Sequence, residues 1–157
     1  MKPEWKIARH IDALFGCGVS DVLPPNLDFL FSKRTGRIKS FGTNGKTIGT
    51  LRSDGGIALT VYGSGILLQT NSFRNNCVVP MAEVIPYMTK GRSLFCKHVK
   101  KFGSNIVVGS EAVITDDNYV VLAVGRSLVN IRSLKENLGV AVKIREGIKS
   151  RFNDKVI

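Results

Sequence analysis

The longest apolar runs of this chain, such as Val120-Val121-Leu122-Ala123-Val124, are only strand-sized, and turn residues recur between them. A membrane-spanning helix needs about 20 consecutive apolar residues, so none is expected. Asn44-Gly45, Asp54-Gly55-Gly56 and Asp116-Asp117-Asn118 are turn sequences, and Asn-Gly in particular favours a two-residue hairpin. Short strands closed by such turns predict an α+β protein whose sheets are built from many brief segments.

The first part begins with helical spacing. Ile7, Ile11, Leu14 and Phe15 share one face over residues 5–15, and Gly16 stops the helix. His10 borders that face and reads as a satisfied or solvent-facing histidine, not a ligand. Pro24-Pro25 marks an extended connection. Strands are predicted at 29–32, 37–41, 47–51 and 57–62. Gly63-Ser64-Gly65 reads as a turn and not a nucleotide loop, leading to a short helix at 66–69. The polar stretch 70–76 is the expected boundary between a domain at 1–76 and one at 77–157.

The second part opens on a strand, Cys77-Val78-Val79. Pro80 is expected to start a helix running through 82–88, limited by Pro86. A strand at 93–99 follows, with more strand material at 107–114 and 119–124. One helical turn at 133–138 ends at Gly139, and 140–145 is the closing strand. The basic tail after Gly147 is expected to fray or form a short helix. The sum is a barrel-like β unit.

The segment Lys90-Gly91-Arg92-Ser93-Leu94-Phe95-Cys96-Lys97-His98-Val99-Lys100-Lys101 holds six basic or potentially basic side chains around one glycine and one phenylalanine. Glycine lets another backbone come close, cations suit phosphates, and an exposed ring stacks on a base. As a strand, it puts Ser93, Phe95, Lys97 and Val99 on one face and Leu94, Cys96 and His98 on the other. Core positions for Leu94 and Cys96 leave Phe95 and Lys97 outward and His98 buried. The opposite assignment, Phe95 inside and Leu94 outside, is the bland alternative.

Net charge is +11, from 23 Lys+Arg against 12 Asp+Glu. Divided near Cys77, the two parts carry 10 basic with 5 acidic and 13 basic with 7 acidic residues, so the excess is not held in one tail. A polyanion or an acidic membrane surface is the expected partner, with solubility alone as the bland reading. The three cysteines, Cys17, Cys77 and Cys96, are widely spaced with no C-x-x-C, which predicts a reducing, cytoplasmic setting with no disulfide frame and no zinc knuckle. The start of the chain carries no apolar signal segment, consistent with the same setting. No cofactor or metal site is expected.

Three blocks carry a resemblance. Gly91-Arg92-Ser93-Leu94-Phe95-x-Lys97, Ala123-Val124-Gly125-Arg126-Ser127 and Gly139-Val140-Ala141-Val142-Lys143 resemble, in order and spacing, the PUA domain of pseudouridine synthases and archaeosine transglycosylases. The likeness covers about residues 77–150. Upstream, Lys33-Arg34-Thr35-Gly36-Arg37-Ile38, Asn44-Gly45-Lys46, Leu51-Arg52, Asp54-Gly55-Gly56 and Leu59-Thr60 resemble the domain that precedes PUA in archaeal tRNA-guanine transglycosylases. The resemblance implies a small α+β pre-PUA domain followed by a PUA pseudo-β-barrel that binds tRNA or another structured RNA. The family's catalytic aspartates and cysteine-rich zinc site have no counterpart here. What is implied is a non-catalytic subunit working with a separate transglycosylase, or a related tRNA-modification adaptor.

Candidate RNA contacts are Lys90, Gly91, Arg92, Ser93, Phe95, Lys97, Lys100 and Lys101. Gly125 with Arg126 offers a second glycine-plus-cation approach, and Lys143 and Arg145 alternate outward on the last strand. Lys33, Arg34, Arg37 and Lys39 form a secondary cluster. Asp116-Asp117 is a paired carboxylate in a turn with no partner base, so no catalysis is expected from the chain. Two other readings stay open at this point: a basic module that docks an acidic protein, and a small enzyme with an unrecognised pocket.

Overall fold

The computed structural model describes residues 1–136 and 138–150, and the chain divides into two units, Met1–Phe73 and Arg74–Ile157. The segment 151–157, on which the predicted tail mostly falls, lies outside the described residues.

In the first unit, helix α1 runs Pro3–Phe15. Proline fits the first turn because its missing N–H has no intrahelical acceptor there. Ile7, Ile11 and Phe15 are buried, as their spacing predicts. Strands β1 (Asp28–Phe31), β2 (Ile38–Thr43), β3 (Lys46–Leu51) and β4 (Ile57–Leu59) form an antiparallel sheet in chain order. Asn44 and Gly45 both have positive φ, 52° and 75°, between β2 and β3, the pair of left-handed residues a type I′ turn requires.

Gly63-Ser64-Gly65 is not a turn. It lies inside helix α2, Val61–Leu67, where the Thr60 hydroxyl accepts the Gly63 N–H. A Cβ on Gly63 would sit 2.2 Å from the Ile48 carbonyl oxygen, so glycine lets α2 press against β3. The predicted strand 57–62 therefore stops at Leu59, and the helix starts earlier than expected. Phe73, in the expected polar boundary, is fully buried and meets the Phe15 ring edge-on at 5.5 Å between centroids.

The second unit is a curled half-barrel. Its strands are β5 (Cys77–Pro80), β6 (Leu94–Phe95), β7 (Val99–Phe102), β8 (Glu111–Thr115), β9 (Val121–Ser127) and β10 (Val140–Gly147), in the order β6-β10-β9-β8-β5-β7. Only β5 and β8 pair parallel among these. The curl follows from chain length. Six flat strands would hold β6 and β7 about 24 Å apart, at roughly 4.8 Å per step. Yet only Cys96–His98 joins these two edges, and four residue steps reach at most about 14 Å. The sheet must bend until its edges approach, and that three-residue link is the seam.

Pro80 ends β5 and does not open a helix. A short 3-10 turn at Ala82–Val84 leads into helix α3, Ile85–Thr89, whose Pro86 sits in the first turn and so does not kink it. Helix α4, Ile131–Leu134, precedes the predicted helical turn because Asn130 caps it through the Ser133 N–H. Val107 and Val108 are exposed loop residues, not strand. Val78, Leu94, Ile114, Ala123, Ala141 and Val142, all fully buried, form the middle of the core.

Candidate nucleic-acid interface

The basic segment leaves α3 through a glycine turn. Gly91, at φ +88°, donates its N–H to the Met88 carbonyl, and Arg92 donates to the Tyr87 carbonyl. These are the two bonds of a Schellman ending, which needs a left-handed residue at this place. The close approach expected at Gly91 is made by the chain itself. A Cβ on Gly147, at the end of β10, would lie 2.7 Å from the Gly91 nitrogen, and one on Gly91 would meet Ser150 at 3.4 Å. Gly91 therefore shapes the turn and packs against the end of β10, so the close backbone approach that glycine permits is one made within the domain.

The strand predicted at 93–99 is corrected. Only Leu94–Phe95 is extended, and Cys96–His98 winds as a 3-10 turn. Cys96 causes this: its N–H donates to the Gly139 carbonyl at 3.0 Å and its thiol to the Leu138 carbonyl at 3.2 Å, anchoring the seam. Burial raises the Cys96 thiol above its ordinary pKa, and desolvation pushes Cys77 up to about 12 despite Arg74 nearby. Both are neutral packing groups at physiological pH.

Leu94 and Cys96 are buried, whereas Phe95 is 46% exposed and Lys97 is exposed beyond it. His98, expected inside, is half-buried, because the turn breaks the alternation that would have put it there. Lys90, Arg92 and Lys97 are exposed along this segment, with Ser93 half-buried.

Lys100 and Lys101 lie on β7, an edge strand, where lysines also discourage sheet-to-sheet pairing. Lys100 holds Asp117 at 3.0 Å. Asp116 accepts the N–H groups of Asn118 and Val120 at 2.8 and 3.0 Å. Both carboxylates thus shape or tether a turn.

On the strands, Lys143 stands opposite Arg126, and Arg126 opposite Glu111. Arg145, expected to be an outward cation for RNA, forks onto the buried Glu111 carboxylate instead, with Nη1 to Oε1 at 3.1 Å and Nη2 to Oε2. Gly125 is mid-strand and buried, and so is not the turn residue that the sequence also allowed. A Cβ there would be 2.2 Å from the Lys143 carbonyl oxygen, so the glycine lets β9 and β10 cross closely where the sheet curls. Arg126 and Lys143 remain exposed.

The first unit holds a concavity of about 1090 Å³. Lys33, Arg37 and Lys39 of the predicted secondary cluster line it together, while Arg34 does not. Sequence reading missed Lys6 and Arg52, which join them from α1 and the β3–β4 turn, because only the tertiary fold brings these three elements together. Among the described residues, no group of three or more His, Cys, Asp or Glu is placed to hold a metal.

A six-stranded half-barrel, closed by a short turn and bounded by a glycine-ended helix, defines the second unit as a pseudo-barrel domain. It is a PUA domain: residues 77–148 match that family. Across 90% of its length the chain is 33% identical to tRNA-guanine(15) transglycosylase of Thermoplasma volcanium, and spans 23% of that relative. The match falls on the C-terminal, PUA-bearing part of that enzyme and not on its catalytic region. The fold recurs in a hypothetical protein of Pyrococcus horikoshii, with TM-score 0.71 and 19% identity over 98% of this chain and 95% of that one. A PUA domain protein of Thermoplasma acidophilum gives 0.55 at 20% identity, covering 69% and 68%.

Proposed function

We propose that this chain is a non-catalytic RNA-binding protein that holds tRNA for a separately encoded transglycosylase. The observation that carries the reading is the 33% identity over 90% of the chain to a tRNA-modifying enzyme, confined to a part outside that enzyme's catalytic region. In this reading residues 1–76 are the pre-PUA domain, residues 77–157 the PUA domain, and the cytoplasm the place of action. The exposed side chains of Lys90, Arg92, Phe95, Lys97, Lys101, Arg126 and Lys143 supply phosphate contacts and one stacking face. The Phe95 ring, 46% exposed next to exposed Lys97, supports this use, since stacking and phosphate neutralisation act together on an unpaired end.

Phosphate contacts release counterions, so affinity falls with salt in proportion to their number. Lys97→Ala is expected to lower the slope of log affinity against log salt by about 1 for folded tRNA. An unchanged slope, measured by filter binding or fluorescence anisotropy, removes Lys97 from the site. Binding of an acidic protein partner, with no discrimination among polyanions, is the competing outcome.

A further inference from the structure

The concavity in the first unit is built from one face of α1, the β1–β2 turn and the β3–β4 turn. Lys6, Lys33, Arg37, Lys39 and Arg52 line it, and no Asp or Glu does so among the described residues. One acid lies close by: Asp54 holds the Arg52 Nε at 3.2 Å. Five cations on one concave surface with apolar walls focus positive potential into it.

The Phe31 ring also lines it, 46% exposed, with Leu30 beside it at 56%. Phe29 flanks the ring, with centroids 6.3 Å apart and planes tilted by 40°, and leaves it about half exposed. A half-open ring among cations matches what single-stranded nucleic acid engages: a π-face for a base and charges for the backbone. A duplex keeps its bases stacked inside and cannot offer one to a ring in a recess. The walls are preset. His10 Nε2 lies 2.6 Å from the Gly55 carbonyl, which can only accept, so Nε2 carries the hydrogen and ties the β3–β4 turn to α1. Across the β1–β2 turn, Ser32 donates to the Arg37 carbonyl and Gly36 to the Ser32 carbonyl, each at 2.8 Å.

We propose that this groove is a second binding site, specific for an unpaired nucleotide segment, with one base stacked on Phe31 and its phosphates on Lys33, Arg37 and Lys39. The inference rests on the RNA-binding reading but uses residues outside the PUA domain.

The test uses the full chain and a labelled oligouridylate of about eight nucleotides, within the range of ~4–16 that one small domain covers. Phe31→Ala and Arg37→Glu are each expected to weaken its binding about five- to tenfold while leaving affinity for a duplex RNA within twofold. Phe31 is exposed, so its truncation leaves the core intact, and amide exchange of α1 and β2 checks this. Phe95→Ala is expected to change oligouridylate binding less than Phe31→Ala does. Wild-type affinity in both groove variants overturns the proposal. Folded tRNA bound without oligouridylate overturns the groove alone, whereas neither bound overturns the RNA reading as well. Polyglutamate displacing the oligonucleotide at equal charge concentration overturns it in favour of an acidic protein ligand.

Discussion

Arg145→Met is expected to destabilise the PUA domain by about 3 kcal/mol, near the lower end of the range for removing one partner of a buried ion pair. The Glu111 side chain is 2% exposed, and the Arg145 guanidinium, 39% exposed, forks onto it. Take the fork away and the carboxylate must keep its charge without water or accept a proton. Arg126, opposite Glu111 in the β8–β9 register, limits the loss. The reciprocal change is milder: in Glu111→Gln the partly hydrated guanidinium turns to solvent. Amide hydrogen exchange of β8, β9 and β10 measures both, with protection falling further in Arg145→Met. Equal or reversed losses contradict the assignment of Glu111 as the partner that water cannot reach. In conditions where the variant is folded, its RNA affinity should stay close to wild type, because the Arg145 charge is already paired with Glu111.

Phe95→Ala is expected to weaken tRNA binding by about 1–3 kcal/mol, the range for losing one base–aromatic stack. The backbone around it should hold. Leu94 is fully buried on one side, and the Cys96 bonds to Leu138 and Gly139 fix the seam on the other. Truncation therefore removes a ring without moving the cations. Phe95→Tyr keeps a π-face and should retain most of the affinity, whereas Phe95→Leu keeps apolar bulk and should not. If leucine restores binding as well as tyrosine does, Phe95 contributes apolar contact and no stacking.

Several of these features were legible in the residues. Ile7, Ile11 and Phe15 announced α1, Asn44-Gly45 announced its turn, and the pairing of buried Leu94 and Cys96 with outward Phe95 and Lys97 followed from local pattern. The face assignment survived for a different reason than alternation. A seam turn, anchored by distant carbonyls at Leu138 and Gly139, replaced the expected strand. What alternation could not see were contacts made by the fold. Arg145 looked outward until β8 brought Glu111 beneath it. Gly91 and Gly125 looked like openings for a ligand, whereas Ser150 and the end of β10 lie against the first and the Lys143 carbonyl of β10 against the second. Gly63-Ser64-Gly65 read as a turn because glycine is a poor helix former, yet close packing on β3 is what requires it. Pro80 misled because proline suits both a strand end and a helix start.

The central claim is recognition of structured RNA over negative charge as such. It is tested most directly by titrating the full chain, at one fixed ionic strength near physiological, with folded tRNA, double-stranded DNA and heparin at equal charge concentration. The account predicts that tRNA binds at least tenfold more tightly than either polyanion and that Phe95→Ala narrows this gap. Indistinguishable affinity for all three, unchanged by Phe95→Ala, would contradict it.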